Sequence, residues 1–250
     1  TTVNITDGHV IHNVYGAGAM GSVGTMTTAS NGDITINSGG TTTIAISGGK
    51  VGDDGTNDGN VFGAARGDKI STQTNVALVK TTGVTISSSA VIKGNVYGGG
   101  EAGDVGTYHT VTEEGDTKGD NNYLGGSGVC NVTMTGGAVH GHVFGAGKGE
   151  ANIFTCQKAM VDMTNVSISA GTVGGNVYGG GEVGRVEHNA VVAIGVADQE
   201  EGTRAPVITG SVFGAGAGVE THGYSALARG NTTVTIQGNA QVGQSVYGGG

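Results

Sequence analysis

One aromatic, glycine-rich pattern recurs along the whole chain and restricts the folds that are open to it. The pattern has the form V-x-G-N-V-(Tyr/Phe)-G-(Gly/Ala)-G, with substitutions, and it occurs seven times, its aromatics separated by 47, 35, 47, 34, 35 and 34 residues. Periods of roughly 20–50 residues mark repeat architectures, in which each unit buries its apolar face against its neighbours. The aromatic residues are Tyr15, Phe62, Tyr97, Phe144, Tyr178, Phe213 and Tyr247.

The aromatic alternates strictly between Tyr and Phe, and the residues after it alternate as well. Tyr97 and Tyr178 precede Gly-Gly-Gly-Glu, whereas Phe144 precedes Gly-Ala-Gly-Lys. The period is therefore a double unit. Because the chain starts and stops within the pattern, we expect a window of a longer array, or one unit of a polymer that stacks end to end. The predicted organisation is a single continuous array over residues 1–250, with double units at about 1–82, 83–163 and 164–232 and a partial unit at 233–250.

Each repeat contains segments in which apolar and small polar residues alternate, which is typical of half-buried strands. In one such segment Val132 and Met134 are expected to point inward and Thr133 outward, and a second strand follows after one or two turn residues. A third, more variable strand is expected after the glycines, for example at Val105–Thr110 or Ala151–Thr155. No stretch carries a helical period, because glycine interrupts every candidate.

Three short strands in a repeat of 34 residues predict an all-β fold. The expected architecture is a β-solenoid similar to a parallel β-helix, with about seven coils of 34–47 residues and roughly three short strands in each coil. An antiparallel propeller stays open as the alternative, although a blade needs four strands and 34 residues barely provide three.

Composition excludes several classes of protein. Charged residues make up 12 % of the chain, which is too little for ordinary disorder. No run approaches the ~20 apolar residues of a membrane-spanning helix. Twenty acidic against 11 basic residues give a net charge of −9 and argue against nucleic-acid binding. No pair of carboxylates recurs at strand spacing, so an enzyme is not expected. The cysteines Cys130 and Cys156 are either incidental thiols or one disulfide.

The aromatic residues, together with the asparagines near them, are the most specific candidate site. If the valines of the pattern point inward, the rings and amides form exposed ladders, which stabilise the stack and offer a flat face to another filament or to sugar rings. If the aromatics instead fill the interior, the tyrosine hydroxyls reach backbone carbonyl groups. The asparagine ladder consists of Asn13, Asn60, Asn95 and Asn176.

Acidic loops are the second candidate. Asp53, Asp54 and Asp58 lie in a loop with oxygen-bearing residues at alternate positions, which suggests a weak Ca²⁺ site. The twelfth position of that frame is Ala65 rather than a bidentate glutamate, so a solvated loop is the competing interpretation. His140 and His142 share a face, but no third metal ligand is evident.

The strings Gly94–Gly100 and Gly175–Gly181, both Gly-Asn-Val-Tyr-Gly-Gly-Gly, resemble the glycine-rich repeats of very long bacterial secreted or cell-surface proteins. Such proteins are generally regarded as adhesin-like. The resemblance covers the whole chain and implies an extracellular β-solenoid stalk or fibre.

The leading hypothesis is thus a structural protein that self-associates into filaments by coil stacking. A surface module that binds host or matrix glycans or Ca²⁺ is the alternative, and a polysaccharide-degrading enzyme is a weaker one.

Overall fold

The computed structural model describes residues 1–55, 58–69, 77–110, 122–125, 128–150, 158–197, 204–220 and 225–250. These residues form strands and connecting turns, without a helix, as the sequence predicts. The strands are β1 (Thr2–Ile5), β2 (His9–Val10), β3 (Val14–Tyr15), β4 (Thr25–Thr28), β5 (Ile34–Ser38), β6 (Thr41–Ile46), β7 (Lys50–Val51), β8 (Val61–Phe62), β9 (Leu78–Val79), β10 (Thr81–Ile86), β11 (Val91–Ile92), β12 (Val96–Tyr97), β13 (Asp104–Val105), β14 (Thr107–Thr110), β15 (Asn122–Gly125), β16 (Val129–Val139), β17 (Val143–Phe144), β18 (Met163–Val173), β19 (Val177–Tyr178), β20 (Ala190–Ile194), β21 (Val207–Ile208), β22 (Val212–Phe213), β23 (Thr232–Ile236), β24 (Gln241–Val242) and β25 (Val246–Tyr247).

Two parallel sheets contain most of these strands. The larger has 12 strands and is branched, because β16 and β18 each pair with strands on two paths. The smaller has seven strands in the order β25-β22-β19-β17-β12-β8-β3 and curls into a half-barrel. Every strand of the smaller sheet carries one aromatic of the repeat, and Tyr97 stands in register between Phe62 and Phe144.

The core lies between these sheets and consists almost entirely of valine, isoleucine and methionine. Val132 and Met134 of β16 are buried, as the alternation predicts, and the outward Thr133 is half-buried. Ile236 of β23 is 38 % exposed although its pattern is the same. The difference arises because β23 pairs only with β20 among the described strands, so no further strand covers it.

Threonine hydroxyls join the two sheets. Each donates to the carbonyl oxygen of the glycine that follows an aromatic, as Thr82 does to Gly98 at 2.6 Å and Thr164 to Gly179 at 2.6 Å. Cys130 stands between these two threonines in the register and is fully buried. Burial raises the pKa of its thiol to about 12, so Cys130 is an inert packing residue. Cys156 lies outside the described residues.

The third side of each repeat differs most from expectation. The predicted strand Val105–Thr110 is divided between β13, which pairs with β9 in parallel, and β14, which pairs antiparallel with β15 and β5. Single parallel bridges link the other described repeats on this side. The segment Ala151–Thr155 lies outside the described residues.

The predicted β-solenoid of about seven coils with three short strands each is therefore wrong. The structure is β-rich and mostly parallel, but it forms a curled half-barrel of seven strands beside a branched sheet, without clear solenoid coils. A β-solenoid forms when every repeat adds one parallel strand to each of its sheets. Here the strands near the aromatics are two residues long, and part of the third side turns back as antiparallel hairpins. The parallel pairing equally disfavours the propeller.

In six of the seven repeats, the glycine that follows the aromatic lies too close to the neighbouring backbone to accept a Cβ. A Cβ on Gly63 would fall inside contact distance of the Gly98 carbonyl oxygen, whereas a Cβ on Gly83 would meet nothing within 4 Å. We expect Gly63→Ala to lower the free energy of unfolding by about 3 kcal/mol, because neither backbone can retreat. The matched Gly83→Ala change should be neutral or stabilise by up to about 1 kcal/mol. Urea unfolding measures both, and equal effects would contradict the account.

Candidate functional site

The seven aromatics form one continuous stack, named here the ring column. Neighbouring ring centroids lie 4.7 to 5.0 Å apart, and neighbouring planes are within 5 to 10° of parallel. This spacing equals the ~4.8 Å between paired strands, because each strand of the half-barrel contributes one ring in register. Each pair adds about 0.5–1.5 kcal/mol beyond the area that it buries.

The ring column packs on the opposite side of its sheet from the valine core, yet its centre is buried. Phe62, Tyr97 and Phe144 are at most 2 % exposed, whereas Tyr247 is 48 % exposed. The faces of the central rings are occupied by neighbouring rings and are closed to a sugar. The sequence left open whether the rings are buried or exposed. In the structure, the central rings are buried and the ring of Tyr247 at the end of the stack is half exposed.

Carboxylates, and not backbone carbonyls, accept the hydrogen bonds that two tyrosine hydroxyls donate. The Tyr15 hydroxyl donates to Glu101 at 2.6 Å, and the Tyr97 hydroxyl donates to Glu182. Burial, strengthened by the adjacent carboxylate, raises the pKa of both tyrosines far above its ordinary value. Both hydroxyls therefore stay protonated and donate at any physiological pH.

The two glutamates belong to a column of alternating charge. It occupies the fourth position after the four consecutive aromatics from Phe62 to Tyr178, where Arg66, Glu101, Lys148 and Glu182 follow one another. Glu101 accepts a hydrogen bond from Lys69 at 2.7 Å and lies 3.7 Å from Lys148. Burial would raise the pKa of Glu101, but its hydrogen bonds with Lys69 and Tyr15 hold that pKa below its ordinary value. The glutamate is therefore ionised within a largely buried site.

The predicted asparagines form a second column, named here the amide column, in which one side chain of each repeat accepts the backbone N–H of the next. Asn13 accepts from Asn60, and Asn60 accepts from Asn95, at 2.8 Å in both cases. Three members were missed from the sequence although each occupies the same place, directly before the Val-aromatic pair. The full column is Asn13, Asn60, Asn95, His142, Asn176, Ser211 and Ser245.

His142 substitutes for asparagine in the amide column and is not held as a metal ligand there. Its Nδ1 accepts the backbone N–H of Asn176 at 2.9 Å, which requires that Nδ1 carry no proton. Burial lowers the pKa of His142, since the charged ring is poorly solvated. The neutral ring is thus the form that continues the column.

A polar groove of about 400 Å³ opens beside the two columns. Its walls combine amide, hydroxyl and charged groups. The residues that define the groove are Lys93, Asn95, Tyr97, His140, Lys148 and Glu182.

A buried charge cluster lies on the third side of the chain. Arg185 is 1 % exposed, and its Nε donates to Glu187 at 2.7 Å. Burial raises the pKa of the nearby Asp104 to about 7, and its carboxylate accepts the backbone N–H of Met160 at 2.8 Å. The Arg185–Glu187 bond lies within one repeat, whereas Asp104 binds Met160 of the next repeat and the Arg185 guanidinium donates to the Met160 sulfur at 3.3 Å, so the cluster also joins neighbouring repeats.

Each candidate Ca²⁺ residue binds a different basic partner. Asp53 accepts from Lys50 at 3.0 Å, Asp54 pairs with Lys93 at 2.7 Å, and Asp58 pairs with His12 at 2.8 Å. Hydrogen bonds from the lysines lower the pKa of Asp53 and Asp54. Within the described residues, no three His, Cys, Asp or Glu side chains converge on a metal position.

Removal of one buried hydroxyl tests the tyrosine–glutamate bond. We expect Tyr97→Phe to lower the free energy of unfolding by about 2 kcal/mol, because Glu182 and the Asn95 amide both lose a partner. The matched Tyr247→Phe change removes an exposed hydroxyl and should cost less than about 0.5 kcal/mol. Chemical denaturation measures the free energy of unfolding of both variants. A comparable decrease in both would contradict a stabilising role for the buried tyrosine–glutamate bond.

Titration of His142 tests the amide column. The pKa of His142 is lower in the folded chain than in the unfolded chain, where it is near 6.5. As the pH falls through 6.5, the unfolded chain therefore binds a proton that the folded chain does not. The free energy of unfolding decreases in this range. His142→Asn restores the repeat residue and should remove this component. We expect the wild-type stability to fall relative to the variant between about pH 7 and pH 5 in parallel denaturation series. A pH-independent difference would show that His142 does not act through its charge.

None of the described residues forms a helix long and apolar enough to cross a membrane. Comparison with known proteins gives no match to this chain among protein-family models, curated proteins or solved structures.

Proposed function

We propose that the chain is a structural protein, a segment of an extracellular fibre or cell-surface adhesin stalk that lengthens by addition of parallel strands at its sheet edges. The observation that carries the proposal is the continuity of the columns. Rings, amides and backbone ladders run from β3 to β25, and each repeat uses the same bonds to its neighbours.

Within the sequence given, each of the two large sheets ends at both sides in strands that have a partner on one side only. The N-terminal edge consists of β1, β2 and β3, and the C-terminal edge consists of β23, β24 and β25. Each of these strands pairs on one side only within the described part of the chain. Soluble sheets usually protect such edges with charges, proline or bulges. These six strands contain no Asp, Glu, Lys, Arg or Pro.

The two edges are complementary rather than identical. All of the pairing between repeats in the two large sheets is parallel, so a strand added to the C-terminal edge continues the existing direction. A contact between two different surfaces does not close on itself and generates a filament. The rings and buried valines would then transmit load along the axis.

The extracellular location rests on the resemblance of the Gly-Asn-Val-Tyr-Gly-Gly-Gly strings to secreted and surface proteins. A second candidate function, retention of a glycan, is favoured by the polar groove between Lys93 and Glu182. That function is compatible with a stalk, since the groove lies beside the columns and not at either edge.

Electron microscopy and sedimentation over a range of concentrations test the structural function. We expect particles to lengthen with concentration, and Val246→Lys to suppress the lengthening, because it places a charge on a 48 % exposed edge position. Ser167→Lys adds the same charge to an outward position of an interior strand and serves as the control. Particles of constant length would contradict edge addition, and retention of oligosaccharides by them would favour the second candidate.

A further inference from the structure

We infer that the outward face of the larger sheet is an interface, on which a second copy of the chain packs through the same face so that two copies lie side by side. This face, named here the outer wall, consists of the outward residues of β6, β10, β16, β18 and β20. Each of these five strands is paired on both sides. The exposure of the outer wall is therefore a property of interior strands, and the inference goes beyond the proposed function because it uses neither end of the sheets.

Parallel pairing in register arranges the outer wall as two rows of short side chains. Thr85 pairs with Thr133, and Thr133 pairs with Ser167, so equivalent residues follow one another at about 4.8 Å. Every member of the two rows is half-buried or exposed. No long side chain holds another surface away from the wall. One row is Thr43, Gly83, Asn131, Asn165 and Val191, and the other is Ala45, Thr85, Thr133, Ser167 and Ala193.

The outer wall carries no charge. Although 12 % of the chain is charged, these five strands contain no Asp, Glu, Lys, Arg or His. Two copies that each carry a net charge of −9 repel one another. Close approach is least unfavourable where neither surface brings like charges together. The charge distribution thus favours contact between two copies at this wall.

The asparagine side chains of the outer wall bond within it. The Asn165 Nδ2 donates to Asn131 Oδ1 at 3.2 Å, and the Asn131 Nδ2 donates to the backbone oxygen of Thr82 at 3.3 Å. A polar group that already has a partner costs less to remove from water than one that has none. Dry contact between the short side chains of facing sheets is the packing that joins paired sheets in cross-β structures.

The area of the outer wall is enough for a weak, reversible dimer. Five strands about 4.8 Å apart, each about six residues long at about 3.3 Å per residue, cover roughly 480 Å² on each copy. Two copies then bury about 1,000 Å², which is the lower limit for a specific interface. A two-fold axis brings the same surface from both copies, so the contact closes as a pair.

Sedimentation of the full chain carrying Val246→Lys measures wall pairing apart from addition at the sheet edges. We expect this chain to form a dimer as its concentration rises. Thr133→Lys places a charge in the middle of the outer wall and should weaken the dimer at least tenfold. Thr209→Lys makes the same change at an exposed position outside the wall and should alter the dimer less than twofold.

Thr133→Val gives an effect of opposite sign that misfolding cannot produce. Valine keeps the shape of threonine but has no hydroxyl to be stripped of water when the wall is covered. We expect the dimer to become at least twofold tighter. A weaker dimer would overturn the inference, and so would equal weakening by Thr133→Lys and Thr209→Lys.

The remaining outcomes separate the two proposals and the other possible occupant. A Val246→Lys chain that stays monomeric overturns wall pairing and leaves edge addition intact. Dimers of this chain, together with wild-type particles of constant length, support wall pairing and contradict edge addition. Adsorption of the monomer to crystalline cellulose, abolished by Thr133→Lys, would assign the wall to a polysaccharide surface and overturn pairing with a second copy.

Discussion

In-register parallel pairing between successive repeats is the constraint on which the rest of this structure depends. When equivalent residues of neighbouring repeats pair, each position of the pattern becomes a column spaced by about 4.8 Å. Rings stack because a strand contributes one ring per step. In several repeats a threonine reaches the carbonyl oxygen of the glycine after the aromatic, and side chains before the Val-aromatic pair accept the next repeat's N–H. A slip by one residue would turn every column to the wrong face.

Stacking identical groups in a column can be unfavourable, and specific residues of this chain avoid the unfavourable contacts. A column of carboxylates would repel itself, and the fourth position after the aromatic instead alternates between cation and anion from Arg66 to Glu182. A column of buried hydroxyls would lack acceptors, and alternation with phenylalanine lets each glutamate reach a tyrosine two repeats away. Glycine occurs where the backbones of neighbouring repeats approach too closely for a Cβ, as at Gly63. Residue choice within the pattern therefore follows from stacking.

The value of the sequence as a predictor differed between levels of structure. The alternation in β16 correctly identified Val132 and Met134 as buried, because period two is a local property of the strand. The β-solenoid prediction was wrong, since closure into coils depends on what the variable segments do on the third side. There the chain forms antiparallel hairpins and single bridges. The length and glycine content of these segments did not distinguish hairpins and single bridges from a third parallel sheet.

The candidate site shows the same division. The sequence by itself determined which residues recur, and hence that Tyr15 to Tyr247 and Asn13 to Asn176 would line up once repeats were stacked in register. It also determined that the period is a double unit, though not why. Only the tertiary structure decided that the central rings are buried, that His142 and Ser211 continue the amide column, and that Glu101 and Glu182 bind tyrosines from another double unit. The physical reason is distance along the chain. Hydrogen bonds between residues 85 or 86 positions apart depend on how repeats are superposed in space, and no local pattern encodes that superposition.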